Sequence, residues 1–102
     1  MQLEDRYLLY REAIDHYGAE HQEDKVMEEM AELTQAIIKH RQNPCKETYM
    51  NLLEEIADVT NTQEQLKMIH CNHLNEEEVL LMIREEKLEK MKNEIRRDKE
   101  KK

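Results

Sequence analysis

The chain has 102 residues, a formal net charge of −8, and a single glycine and a single proline. This length suits one domain with one modest core, and the acidic balance argues against non-specific binding to nucleic acid. No apolar run approaches the roughly 18 residues of a transmembrane helix, and the N-terminal segment lacks the basic-then-apolar order of a signal peptide.

Helix-forming residues dominate the sequence, so an all-α domain is predicted. Helix α1 is predicted from about Leu3 to Tyr17, helix α2 from about Ala19 to His40, and helix α3 from about Lys46 to His70. Gly18 should end the first of these helices, and Pro44, within the stretch RQNPCKE, should separate the second from the third. The short connections favour an antiparallel four-helix bundle.

Helix α4 is predicted to begin at about Glu76, after the polar break CNHLN, with Asn75 as its N-cap and Glu78 completing a capping-box arrangement. A single domain is therefore predicted over residues 1–97, followed by a charged tail, 98–102, that is expected to fray. Cys45 and Cys71 fall in the predicted connections, and their number and setting indicate free thiols in a reducing, cytoplasmic compartment.

The supply of large apolar side chains is thin, because Phe and Trp are absent and seven Met and four Tyr must help to fill and border the core. A monomer of this size with so small a core would be marginally stable. The composition therefore predicts a homo-oligomer, a dimer or a tetramer.

One acidic pattern occurs twice, as VMEEMAELT over residues 26–34 and as LLEEIADVT over residues 52–60. At about 100° per residue, the first copy predicts a packed apolar stripe of Val26, Met30, Leu33 and Ile37, and the second predicts one of Leu52, Ile56, Val59 and Gln63. Each stripe has a pair of carboxylates beside it at the same angular offset. If α2 and α3 pack antiparallel, both pairs should converge on one side of the helix pair; these residues are Glu29, Glu32, Glu55 and Asp58.

Four neighbouring carboxylates repel one another unless a cation lies between them. Oxygen ligands suit Mg²⁺, with Mn²⁺ as a second choice and Ca²⁺ as a third. Because Mg²⁺ keeps coordination positions for substrate phosphates, the expected partner is a phosphorylated small molecule. The alternative interpretation is a solvated acidic surface without chemistry.

These acidic motifs resemble those of the MazG-like nucleotide pyrophosphohydrolases of the all-α NTP pyrophosphatase superfamily. The family's EExxE motif matches residues 28–32, and its ExxD motif on the next helix matches residues 55–58. The segment YGAEHQEDKVMEEMAEL, which contains Gly18 and Gln22, and the segment EEKLEK, which contains Lys87 and Lys90, extend the resemblance over roughly residues 17–95.

The resemblance implies a Mg²⁺-dependent enzyme that hydrolyses a nucleoside triphosphate, often a deoxynucleotide, to the monophosphate and pyrophosphate, and so adjusts or cleanses the nucleotide pool. It assigns the metal to the four carboxylates named above and leaves Glu28 as a general base or a supporting group. Lys87 and Lys90 would contact substrate phosphates, although both also fit a solvated face with Glu-to-Lys pairs.

Two departures from the family pattern concern the substrate. Glu85 stands where the family has an asparagine, and no Trp or Phe is present to stack on a base. A tyrosine, a methionine or Gln22 would have to contact the base instead. The alternatives are a phosphoribosyl-ATP pyrophosphatase, a di-iron carboxylate bundle, which the missing Glu-x-x-His pairs disfavour, and a helical interaction module without catalysis.

Overall fold

The computed structural model describes residues 1–71 and 74–101. Every regular element in this part of the chain is an α-helix, so the all-α prediction is confirmed. The four helices are α1 (Leu3–Tyr17), α2 (Ala19–Gln42), α3 (Lys46–His70) and α4 (Leu74–Glu100).

The boundary between α1 and α2 depends on Gly18, whose φ of 96° lies in the region that side chains with a Cβ disfavour. The Gly18 amide donates a hydrogen bond to the Ile14 carbonyl at 2.8 Å, and the Gly18 carbonyl accepts one from the Gln22 amide at 3.1 Å. One residue thus closes α1 and opens α2, as the sequence predicts.

The boundaries of α1 and α3 agree with the prediction, whereas α2 continues two residues beyond His40 to Gln42. At the start of α3, the hydroxyl of Thr48 accepts a hydrogen bond from the backbone amide of Cys45, the residue before the helix, at 3.2 Å. Cys45 and Cys71 are both free thiols.

Helix α4 differs from its prediction at its N-terminus. It begins at Leu74, so Asn75 lies inside the first turn and not at the N-cap position that the sequence predicts. At its C-terminus it continues to Glu100, within the charged tail. Asn72 and His73 of the predicted break, and Lys102 of the tail, lie outside the described residues. None of the described helices combines the length and the apolar character that crossing a membrane requires.

The chain divides into two units, one over Met1–His70 and one from Cys71 onwards that contains α4. Within the first unit, α2 and α3 make the most extensive contact, and α1 packs against both. Helices α2 and α3 run antiparallel, since His40 contacts Thr48 near the connection and His70 lies 3.2 Å from Glu23 at the other end.

The packed face of α2 is rotated from the one that the sequence predicts. Met30 and Ile37 are 54% and 39% exposed, so half of the predicted stripe faces outward. The stripe that packs consists of buried and half-buried residues at helical spacing, namely Gln22, Val26, Glu29, Leu33 and Ala36. The reason is that α2 is apolar over a wide arc, and the small Ala36 together with a buried hydrogen bond from Gln22 sets which part of that arc packs.

The same rotation occurs in α3, where Ile56 is 44% exposed and Leu52, Glu55 and Val59 are half-buried. Glu29 and Glu55 therefore lie on the packed stripes of their helices and not beside them. The rotation matters for the chemistry of the site, because it places both carboxylates in the contact between α2 and α3.

Candidate functional site

The two copies of the acidic pattern adopt the same local structure. In both copies a threonine hydroxyl donates to the carbonyl four residues earlier, Thr34 to Met30 at 3.0 Å and Thr60 to Ile56 at 2.8 Å. The acidic residues of each copy stand three positions apart, which places them one turn apart on one side of the helix. Antiparallel packing of α2 on α3 then brings the two copies face to face.

Three carboxylates meet at this contact. Oxygen atoms of Glu29, Glu32 and Glu55 all lie within 4.8 Å of one another, and the three residues are half-buried. We call these three residues the acidic cluster. Ligand oxygens on opposite sides of a Mg²⁺ or Ca²⁺ ion are separated by about 4 to 5 Å, twice the usual metal–oxygen distance. The spacing of the acidic cluster is therefore compatible with one shared cation.

Two oxygen atoms of the acidic cluster are shielded from solvent without a hydrogen-bond partner among the described residues. They are the Oε2 atoms of Glu29 and Glu55. A buried acceptor without a partner costs about 1–3 kcal/mol, and more when it carries charge. These two atoms thus have coordination capacity that the protein's own donors leave unused.

The burial of these carboxylates and their closeness to one another shift their pKa values. The pKa of Glu29 is raised to about 7. Burial is the largest cause, followed by the nearby charges of Glu32 and Asp58, a hydrogen bond with Glu32 and the charge of Glu55. The pKa of Glu55 is also raised, first by desolvation and then by the charges of Glu32 and Asp58. Near neutral pH the acidic cluster therefore retains a proton that a bound cation would displace.

Asp58, the fourth predicted ligand, is exposed. It lies close enough to raise the pKa values of both Glu29 and Glu55 by charge repulsion, but it is not within the group of three mutually close carboxylates. The structure therefore brings three of the four predicted ligands together and places the fourth at their border.

The other predicted site residues do not belong to the three mutually close carboxylates. Glu28 is exposed and pairs with Lys25 at 3.6 Å, so its carboxylate is directed to a partner outside the acidic cluster. Both amide atoms of Gln22 are engaged, the oxygen with His21 at 2.8 Å and the nitrogen with Gln65 at 2.7 Å. Lys87 and Lys90 are exposed on α4, in the second unit.

Sequence reasoning missed the polar residues that continue along α3 beyond Asp58. Asn61 accepts a hydrogen bond from the Tyr10 hydroxyl at 2.6 Å, and Gln65 is only 8% exposed. The available signal was spacing, since Gln65 follows Asp58 by two turns and so lies on the same side of the helix. A polar residue at such a position indicates either a buried hydrogen bond or a binding surface.

Comparisons with known proteins add no family to this description. No family model matches the chain, and neither the curated proteins nor the solved structures include a match. The residues of the site and their geometry are therefore what indicates a function.

Proposed function

We propose that this chain is a Mg²⁺-dependent nucleoside triphosphate pyrophosphohydrolase, which converts a (deoxy)nucleoside triphosphate and water to the monophosphate and pyrophosphate. The observation that carries the proposal is the acidic cluster, three carboxylates within 4.8 Å on two packed helices. The two shielded oxygens without partners support it. A solvated acidic face would leave such atoms in contact with water.

The donor set fits the metal, because carboxylate oxygens alone suit Mg²⁺ or Mn²⁺. Glu29, Glu32 and Glu55 would hold the ion, with Asp58 at the border of the site. When bound, the ion would neutralise charge on the phosphates and favour attack of water on the α-phosphorus. In that attack the water oxygen would bond to the α-phosphorus, the bond to the α–β bridging oxygen would break, pyrophosphate would leave, and the proton lost by the water would pass to the solvent.

The residues of the acidic cluster would also bind and release a proton. Glu29, with a pKa of about 7, is partly protonated near neutral pH in the absence of a cation. Glu29 would release this proton on metal binding, and the three carboxylates, which otherwise repel one another, would act as ligands. The site should therefore bind the cation more tightly at higher pH.

The proposal assigns the substrate phosphates to Lys87 and Lys90. Neither ammonium group forms an ion pair within the part of the chain that the structure describes. A lysine without a partner carboxylate is available as a point charge for phosphate.

We also propose that the active form is a homo-oligomer in which a four-helix bundle is completed. Large apolar side chains of α2 and α3 face outward on the side opposite Glu32 and Asp58, namely Met27, Met30, Ile37, Leu53 and Ile56. The sequence repeat places Met30 and Ile56 at equivalent positions, as it does Glu29 and Glu55, so α2 and α3 contribute matching apolar side chains to this face. An apolar face of this kind is typical of an interface.

The test is release of pyrophosphate from a panel of NTPs, dNTPs and phosphoribosyl-ATP, with Mg²⁺ and with chelator. Glu55→Gln keeps the size of the side chain and removes one ligand charge. Glu54→Gln is the matched control, since it makes the same change at the exposed neighbouring position. We expect Mg²⁺-dependent release by the wild type and by Glu54→Gln, and loss of release by a folded Glu55→Gln.

Two other results would lead away from this proposal. Release from phosphoribosyl-ATP alone would assign the chain to that narrower chemistry. No release from any substrate, together with no Mg²⁺-dependent rise in melting temperature, would contradict the proposal and favour a helical interaction module.

A further inference from the structure

A second feature of the first unit has no part in the acidic cluster. A groove of about 480 Å³ lies where α1 meets α3, and small-molecule sites are typically roughly 300–1,000 Å³. Its lining combines apolar and polar side chains, among them Arg6, Leu9, Tyr10, Ala13, Asn61 and Gln65.

The hydrogen bonds of the groove leave it rich in donors. The oxygen of Asn61 accepts from the Tyr10 hydroxyl at 2.6 Å, and the oxygen of Gln65 accepts from the Gln22 amide nitrogen at 2.7 Å. The side-chain amide of Gln65 donates one N–H to the backbone carbonyl of Asn61 at 3.4 Å. Among the residues that the structure describes, both N–H groups of the Asn61 amide, the second N–H of Gln65 and the guanidinium of Arg6 have no further partner and remain as donors.

The groove lies beside the border of the acidic cluster. Asn61 and Gln65 follow Asp58 by three and seven residues, so both lie on its side of α3, about 5 and 10 Å further along the axis. A ligand with its phosphates at the acidic cluster would therefore extend its sugar and base along α3 toward these amides.

We propose that this groove receives the nucleotide base and selects bases with a carbonyl at pyrimidine position 4 or purine position 6, namely uracil, thymine and guanine, over cytosine and adenine, which carry an amino group there. The inference rests on the proposed function, because it needs a nucleotide whose phosphates bind at the acidic cluster. A carbonyl oxygen accepts from the amide donors of Asn61 and Gln65. An amino group at the same position is itself a donor and cannot accept from those N–H groups, and a site built to hydrogen-bond one group discriminates against an analogue that lacks it.

The experiment compares the α,β-imido analogues of dUTP and dCTP, which resist cleavage between the α- and β-phosphates. Their binding to the full chain in Mg²⁺ is measured by calorimetry. The two analogues share sugar, phosphates and ring size, and they differ in the carbonyl or amino group at position 4 and in the protonation of the adjacent ring nitrogen. We expect the dUTP analogue to bind about tenfold more tightly, since leaving a donor without a partner lowers affinity by about that factor.

Asn61→Asp replaces the donor amide with an acceptor and still accepts the Tyr10 hydroxyl, so it should abolish or reverse the preference. Gln63→Glu adds the same charge to the exposed part of α3 outside the groove, and it should leave the preference unchanged. Equal affinities in the wild type, a preference that survives Asn61→Asp, or no binding of either analogue would overturn the proposal.

The two proposals fail in different ways. Hydrolysis of natural dUTP and dCTP with equal kcat/KM would leave the hydrolase standing and overturn the base groove. A preference for the dUTP analogue that responds to Asn61→Asp, without hydrolysis of any nucleotide, would support the groove and contradict the hydrolase.

Discussion

Replacing Glu29 by glutamine should remove most of a pH dependence that the acidic cluster imposes on the stability of the metal-free protein. Folding raises the pKa of Glu29 from 4.5 to about 7, so the folded chain holds this proton more tightly than the unfolded chain. Stability is therefore lost as pH rises through this window. At about 1.4 kcal/mol per pKa unit this shift corresponds to about 3.5 kcal/mol, and since Glu29 is only half-buried, solvent screening should reduce the loss to about 1–3 kcal/mol.

The assay is urea unfolding, followed by circular dichroism in the presence of chelator, at about pH 5 and about pH 8. The free energy of unfolding of the wild type should be about 1–3 kcal/mol lower at the higher pH. Glu29→Gln resembles the protonated side chain, so it should match the wild type at the lower pH and exceed it at the higher one. A small dependence should remain in this variant, because the pKa of Glu55 is raised as well.

Glu54→Gln is the control. Because Glu54 is exposed, this variant should keep the wild-type pH dependence of the free energy of unfolding. Saturating Mg²⁺ at about pH 8 should restore the stability of the wild type, by about 2.7 kcal/mol at a hundredfold excess over Kd, and should have little effect on Glu29→Gln. A wild-type stability that is constant between the two pH values, or an equal fall in Glu29→Gln, would refute this account of the acidic cluster.

Three further outcomes follow from the same structure. Gln22→Met should lower the free energy of unfolding by about 1–3 kcal/mol, because it leaves the buried oxygen of Gln65 unpaired, and adding Gln65→Met should recover part of this loss in chemical denaturation. Light scattering should show a smaller particle for the double variant Met30→Lys and Ile56→Lys than for the wild type, and an unchanged mass would contradict the proposed interface. Lys87→Met should raise KM for the nucleotide about tenfold without altering the Mg²⁺-dependent rise in melting temperature, and an unchanged KM would remove this lysine from the site.

The helix boundaries could be predicted because a few residues determine them. Gly18, with its positive φ, allows α1 to end and α2 to begin within one residue. Pro44 separates α2 from α3. The convergence of Glu29 and Glu55 could also be predicted, because a repeated pattern on two antiparallel helices brings equivalent positions together whichever part of the apolar arc packs.

The rotation of the helices could not be predicted from hydrophobicity. Met30 and Ile37 are more apolar than Gln22 and Ala36, yet they lie outside the packed stripe. The hydrogen bond between Gln22 and Gln65 links residues far apart in sequence, so neither local propensity nor helical periodicity contains it. For the same reason the groove between α1 and α3 became visible only in the folded structure.

The most direct test of the central claim is the fate of oxygen from isotopically labelled water during nucleotide hydrolysis in Mg²⁺. If the acidic cluster supports attack of water on the α-phosphorus, mass spectrometry should find the label in the nucleoside monophosphate and unlabelled pyrophosphate beside it. Glu55→Gln should form neither product. Release of orthophosphate, or label in pyrophosphate, would place the attack at another phosphorus and contradict the account.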